Sequence, residues 1–253
     1  QRKKVFKFNF WKKYTYLYKL NIKDFDQYFN IRPPQKKIKK NSDFFASQSI
    51  WNLIKNKNIL DILQKLIGKE ILSNPVQNSR IKQPEKYLKK SGLSDGLTGR
   101  TPWHQDAGVL TKVGQKYTDL ITCWIPFTKT KIKNGCMITV PGLHKKGLFN
   151  HDKDSKGQAL LRQNELLNKY KTVALEANPG DIVLLGKHTP HCSLPNLSRD
   201  FRISMDLRYH KGGQPSGRDS LPSFYVRSKN KKNIKVTNCK QCLAVWEKAT
   251  LKS

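Results

Sequence analysis

Thr101-Pro-Trp-His-Gln-Asp106 is the stretch that decides how this chain is read. In an extended segment, residues i and i+2 share a face, so His104 and Asp106 present an imidazole and a carboxylate to the same point. A second imidazole, His191, lies far along the chain and must arrive on another strand, which a two-sheet sandwich can bring across. Two histidines and one carboxylate leave coordination positions open, the pattern of non-haem Fe(II) oxygenases, because activating O₂ needs a redox metal with free sites. Arg202 follows His191 by a short interval and suggests an anionic cosubstrate beside the metal. The reaction class this predicts is an Fe(II)/2-oxoglutarate-dependent dioxygenase.

Working outward, the flanking sequence has strand character. Leu120-Ile-Thr-Cys-Trp-Ile-Pro126 is apolar and β-branched, and Cys136-Met-Ile-Thr-Val140 is entered through the turn Asn134-Gly135. Thr172–Leu175 and Asp181–Leu185 flank the turn Asn178-Pro-Gly180, and Phe201–Tyr209 is the last clear strand. Upstream, short strands are expected near Ile71–Leu72 and Arg80–Lys82. Before them, Ser42-Asp-Phe-Phe45 starts a helix whose apolar residues recur at helical spacing to Ile67, closed by Gly68. A short helix is expected around Ala159–Leu167. Short strands at close spacing after a helical start predict a mainly β fold with supporting helices, a double-stranded β-helix of the jelly-roll, cupin-like kind. The expected organisation is a basic N-terminal segment over 1–42 and a single domain over 43–253. That domain divides into helical support (43–68), a jelly-roll core (about 70–210) and a C-terminal extension (211–253).

Composition bounds this reading. A chain of 253 residues with 37% hydrophobic content can bury one substantial core. No apolar run is long enough to span a bilayer, and Gln1-Arg-Lys-Lys-Val-Phe-Lys7 lacks the apolar core of a signal peptide. The chain begins without Met, as a fragment or trimmed chain does. Five scattered cysteines make a disulfide framework improbable and point to a reducing, cytoplasmic setting. Cys239-Lys-Gln-Cys242 is a lone CxxC without the second pair that a structural zinc site needs. The net charge of +31 would suit a polyanion. Its lysines are spread along the whole chain, however, and come with many Asn and Ile, as an AT-rich genome would produce. A nucleic-acid footprint should concentrate on one face or element.

Taken alone, His-x-Asp is a common tripeptide, and His188 rivals His191 without any difference in spacing or charge to separate them. Longer motifs do separate them. Trp103-His-Gln-Asp106, Cys123-Trp-Ile-Pro126, Asn134-Gly-Cys-Met-Ile-Thr-Val-Pro-Gly-Leu-His144 and His191-Cys-Ser-Leu-Pro-Asn-Leu-Ser-Arg-Asp-Phe-Arg202 together resemble the phytanoyl-CoA dioxygenase family of Fe(II)/2-oxoglutarate oxygenases, over about residues 80–210. The tail Gly213–Arg218 with Pro222–Ser228 is similar to a bacterial branch of it.

The resemblance implies roles. His104, Asp106 and His191 match the iron ligands. Arg202 matches the arginine that pairs with the distal carboxylate of 2-oxoglutarate, and Ser193 the serine that hydrogen-bonds it. Trp124 matches a tryptophan lining the cosubstrate pocket, and Gln105 and Asn196 match residues close to metal and substrate. Pro141-Gly-Leu-His144 departs from the family's usual Pro-Gly-Ser/Thr-His and is read as a structural turn with a lid role open to it. Related halogenases replace the carboxylate ligand with Gly or Ala. Asp106 is present, which favours hydroxylation of a small molecule, with release of succinate and CO₂.

Two other classes compete. Nucleic-acid demethylases share the triad but carry Arg-x-Asn-x-Thr-x-Arg on a later strand. Arg202-Ile-Ser-Met-Asp-Leu-Arg208 has the arginines without the Asn and Thr, and stands too near His191. A non-catalytic basic binding protein would have no need of an intact triad. The expected partner is a small-molecule substrate rather than a specific nucleic acid or a membrane.

Overall fold

The structure is a computed structural model that describes residues 48–86, 100–153, 159–161, 170–218 and 222–250. Two sheets carry the architecture, and together they form the jelly roll. The larger runs β11-β1-β10-β3-β8, with β2 also paired to β10. Its strands are β1 (Ile71–Ser73), β2 (Asn78–Lys82), β3 (Leu120–Pro126), β8 (Val183–Gly186), β10 (Arg202–Lys211) and β11 (Phe224–Arg227). The smaller runs β7-β4-β9, from β4 (Met137–Thr139), β7 (Val173–Leu175) and β9 (His191–Ser193). Every pairing is antiparallel.

Strand β10 is the spine. Its first half pairs with β2 and its last residues with β1 on one edge, while β3 runs along the other. The pleat sorts its side chains. Met205, Leu207 and Tyr209 face outward and join Cys123 and Ile125 of β3, with which Leu207 and Met205 are in register. Arg202, Ser204, Asp206 and Arg208 take the opposite face, toward the smaller sheet.

Helices cover the outward face. These are α1 (Gln48–Ile54), α2 (Lys57–Ile67) and α4 (Cys239–Thr250), the last from the C-terminal region; a short α3 (Lys112–Tyr117) follows the 3-10 turn at Asp106–Val109. Trp51, Ile54, Leu63 and Trp246 seal this core. Trp51 stacks on Phe224 at 5.8 Å, and the Tyr209 hydroxyl donates to Ile54 O at 3.1 Å. Each such side chain withdrawn from water contributes about 1.5–3 kcal/mol. The stretch 211–253, read from sequence as an extension, thus supplies an edge strand and a core helix.

Two expectations differ from the structure. The single helix to Ile67 is two helices, because the Asn56 side chain accepts from Asn58 N and Ile59 N and starts a new helix there. The part of that expectation before Gln48 lies outside the described residues. Ala159–Leu161, read as the start of a helix, is β6, paired in register with β5 (His151–Lys153). A tertiary partner overrides local helical spacing there, and residues 162–167 lie outside the described set. No helix among the described residues is long and apolar enough to cross a membrane.

Candidate active site

The site lies between the sheets. His104 and His191 form an isolated antiparallel bridge at the edge of β9, each donating its N–H to the other's carbonyl at 3.0 and 2.9 Å. This pairing sets their rings side by side, 4.2 Å between centroids. Gln105 is extended, so the chain turns Asp106 back to the face of His104 before a short 3-10 turn begins. One ligand atom from each of His104, Asp106 and His191 lies within 4.8 Å of the others, and all three residues are buried. Among the described residues this is the one such metal-competent group. His188, the sequence rival, is outside it.

Both imidazoles are oriented from behind. His104 Nδ1 lies 2.8 Å from Pro102 O and His191 Nδ1 lies 2.9 Å from Thr189 O. A carbonyl only accepts, so each Nδ1 carries the hydrogen and each Nε2 offers its lone pair to the cavity. Burial, followed by the neighbouring His191, pushes His104 down to about 3, which keeps it in the neutral form that a metal requires.

Asp106 is held at both oxygens. Thr122 on β3 donates to Oδ2 at 2.5 Å, and Arg208 on β10 donates from Nη2 to Oδ1 at 2.9 Å. Burial alone would raise this carboxyl, but Arg208 and the two imidazoles outweigh it and hold the group well below the usual carboxylate range. Behind it, Asp206 takes Arg80 at 3.0 Å and lies 3.8 Å from Arg208. Burial opposes the charge on Arg208, yet Asp106 and Asp206 raise its pKa. The result is a buried chain of alternating charges, Arg80–Asp206–Arg208–Asp106.

Arg202 differs from these. It is 1% exposed, pairs with no carboxylate among the described residues and leaves Nε without a partner. Its Nη1 donates to Ser204 Oγ, and its guanidinium lies 5.5 Å over the Trp124 ring. Burial first, then Arg80, lowers it to about 10. An uncompensated buried cation is costly. A carboxylate delivered into the cavity would remove that cost through two parallel hydrogen bonds. His104, His191, Arg202, Ser193, Trp124 and Arg208 are among the residues that line the cavity between the sheets. The residues present therefore fit a metal at the triad and a dicarboxylate beside it.

The remaining expected residues take other positions. Gln105 points away from the triad, as the residue between two same-face neighbours must. Its Nε2 donates to Gly147 O and His188 O, and its Oε1 accepts from Phe149 N. Asn196 braces the β9–β10 connection by donating to Lys82 O and Asp200 O. Ser193 lines the cavity and accepts from Thr101 N and Lys82 Nζ. Pro141–His144 is a turn, with Gly142 at φ 77 and Leu143 buried. Sequence reasoning missed Thr122, Arg80, Asp206 and Lys82, and considered Arg208 as part of a competing motif and as a rival anchor to Arg202, not as a partner of Asp106. The alternation of polar residues along Arg202–Arg208 was the available signal.

Comparison with known proteins agrees with this geometry. The family model described as phytanoyl-CoA dioxygenase (PhyH) matches residues 18–204. A Dictyostelium discoideum protein named phytanoyl-CoA dioxygenase domain-containing protein 1 homolog is 34% identical over 124 residues, 46% of this chain and 42% of that one. The 1-deoxypentalenic acid 11-beta-hydroxylase of Streptomyces arenae is 25% identical over 197 residues, 74% of this chain and 65% of that one. The chain spans about half the length of the first curated relatives it matches. Among solved structures, the non-heme monooxygenase ThoJ superposes with a TM-score of 0.60 at 18% identity, covering 83% of this chain and 78% of that one, which shows the shared fold. With a match that takes in His104, Asp106, His191 and Arg202, this chain belongs to the phytanoyl-CoA dioxygenase family.

Proposed function

We propose that the chain is an Fe(II)/2-oxoglutarate-dependent dioxygenase that hydroxylates a small-molecule substrate. The observation that carries the reading is the placement of two inward Nε2 lone pairs in the same cavity as Arg202, with the fixed Asp106 carboxylate within 4.8 Å of both imidazoles. The name of the Streptomyces relative, a hydroxylase of a small acid, supports it.

His104, Asp106 and His191 would hold the iron. When bound, ferrous iron with 2-oxoglutarate and O₂ supplies the oxidising power, the cosubstrate leaving as succinate and CO₂. Arg202 would hold the distal carboxylate of the cosubstrate, with Ser193 donating to it and Trp124 walling its chain. Thr122 and Arg208 stop the Asp106 carboxylate from rotating, so the face offered to the metal stays fixed. Trp124, Met137 and Leu185 exclude water from that end of the cavity. The presence of Asp106, rather than a small residue, supports hydroxylation over halogenation.

The nucleic-acid demethylase reading is weaker. Ser204 and Asp206 stand where its Arg-x-Asn-x-Thr-x-Arg strand has Asn and Thr. A cytoplasmic, reducing setting belongs to the same proposal and is supported by five free thiols. Burial pushes Cys123, Cys192 and Cys242 up to about 12, away from redox reactivity. The direct test is Fe(II)-dependent formation of succinate from 2-oxoglutarate by the purified protein. Absence of both slow uncoupled turnover and 2-oxoglutarate binding would reject the reading.

A further inference from the structure

Lys82 ends β2 directly opposite Arg202 in the β2–β10 register, so two cations lie side by side on the inner face of the larger sheet. It is 2% exposed, and among the described residues no carboxylate lies within ion-pair distance of it. Its Nζ donates to Ser193 Oγ at 2.7 Å and to Leu194 O at 2.5 Å. The stem is confined as well. Gly135 sits at φ 83 against it, and a Cβ there would come within 2.6 Å of Lys82 Cδ.

The consequence falls on Ser193. A hydroxyl oxygen has two lone pairs and one hydrogen. Thr101 N donates to Ser193 Oγ at 2.8 Å and Lys82 Nζ at 2.7 Å, so both lone pairs are taken. The hydroxyl can then only donate, and Ser193 lines the same cavity as Arg202. Its one remaining hydrogen bond needs an acceptor supplied from that cavity.

We infer that Lys82 is a positioning residue for the distal carboxylate of 2-oxoglutarate: it locks Ser193 as a donor and adds a second positive charge beside Arg202. The inference rests on the dioxygenase reading above. The burial of two adjacent cations with no ion-paired carboxylate among the described residues is what a resident dianionic cosubstrate would relieve. Burial first, then Arg202 and Arg80, lowers the Lys82 amine well below its ordinary value.

The test is calorimetric binding of two oxo acids to the Ni(II)-loaded protein, with no turnover involved. The acids are 2-oxoglutarate and 2-oxopentanoate, which lacks the distal carboxylate. Lys82→Met should weaken 2-oxoglutarate binding by about tenfold or more, the worth of one charge-assisted hydrogen bond, and leave 2-oxopentanoate and Ni(II) binding unchanged. Lys82→Arg should recover much of the difference. In a Ser193→Ala background the Lys82→Met effect should shrink, because the lysine acts largely through that hydroxyl.

Unchanged 2-oxoglutarate affinity in Lys82→Met, or equal loss for both oxo acids, would overturn the assignment and leave Lys82 as a tie between β2 and Leu194. Should Lys82→Met fail to fold, Lys82→Gln is read for the ratio of the two affinities, and a ratio equal to wild type overturns the assignment equally. A wild-type protein that binds Ni(II) but neither oxo acid would reject the dioxygenase reading itself.

Discussion

Arg208 Nη2 lies 2.9 Å from Asp106 Oδ1, the same oxygen that stands 3.9 Å from His104 Nε2. A guanidinium thus shares the oxygen that faces the metal side of the triad. It neutralises the carboxylate and limits how tightly that oxygen can grip a cation.

Metal binding should follow the triad. Asp106→Ala and His191→Ala should each weaken Fe(II) binding by more than the ~10–100-fold typical of losing an outer partner, measured anaerobically by equilibrium titration. His188→Ala should bind as wild type. If His188→Ala lost the metal and His191→Ala retained it, the distal ligand would be misassigned.

Cosubstrate affinity should follow Arg202. Losing a charge-assisted pair costs about 1.5–3 kcal/mol, or roughly 10- to 100-fold in the 2-oxoglutarate requirement of Arg202→Ala. Succinate formation against 2-oxoglutarate concentration reads this out. An unchanged requirement would point to another anchor, Arg208 first.

Stability should follow Arg208. Its removal leaves Asp106 buried without its main counter-charge, so Arg208→Met should cost the metal-free protein about 3–5 kcal/mol in urea unfolding. Added metal should restore more stability to the variant than to wild type, because the ion replaces the missing charge. Arg227→Met, whose partner Asp61 faces solvent, should change far less.

Acid sensitivity of the metal-free protein should begin well above the carboxylate range. Burial pushes His104 down to about 3 and His210 down to about 4, both below the ordinary 6.5. Between those values and 6.5 the unfolded chain binds protons that the folded chain refuses. Stability is therefore complete above pH 6.5 and falls on acidification, by about 1.4 kcal/mol per pH unit for each histidine. His210→Gln should remove about one proton from the pH slope of urea unfolding. A slope identical to wild type would contradict the burial of neutral His210.

Much of this was legible in the sequence where local pattern and chemistry coincide. The His104–Asp106 pair and strands β3, β4, β8 and β10 follow from alternation and ligand type, while His191 was separated from His188 only by the longer motifs. The split at Asn56 was hidden because apolar spacing continues through it, whereas the cap depends on one side-chain oxygen. The strand at Ala159–Leu161 was hidden because its nearby partner β5, His151-Asp-Lys153, is polar and carries no strand alternation. The Arg80–Asp206–Arg208–Asp106 chain was hidden for another reason: it joins β2, β10 and the 3-10 turn, and only the register places those residues in contact.

The overall charge of +31 should not translate into a polynucleotide site. Affinity for a mixed-sequence duplex and for a single strand should be weak and should fall steeply across a salt series toward physiological strength. Tight binding that survives there, or succinate formation stimulated by a methylated oligonucleotide, would promote the demethylase reading.

The two-faced character of β10 also constrains how this protein can diverge. One inserted or deleted residue between Arg202 and His210 would rotate everything beyond it to the opposite side of the sheet. Guanidinium groups would enter the helix-covered oil, and Met205, Leu207 or Tyr209 would fill the reaction chamber. Length changes are therefore forbidden along this strand, while the connections that never touch it stay free to vary. New substrates can be acquired there without rewriting the strand that both holds the protein together and shapes its chemistry.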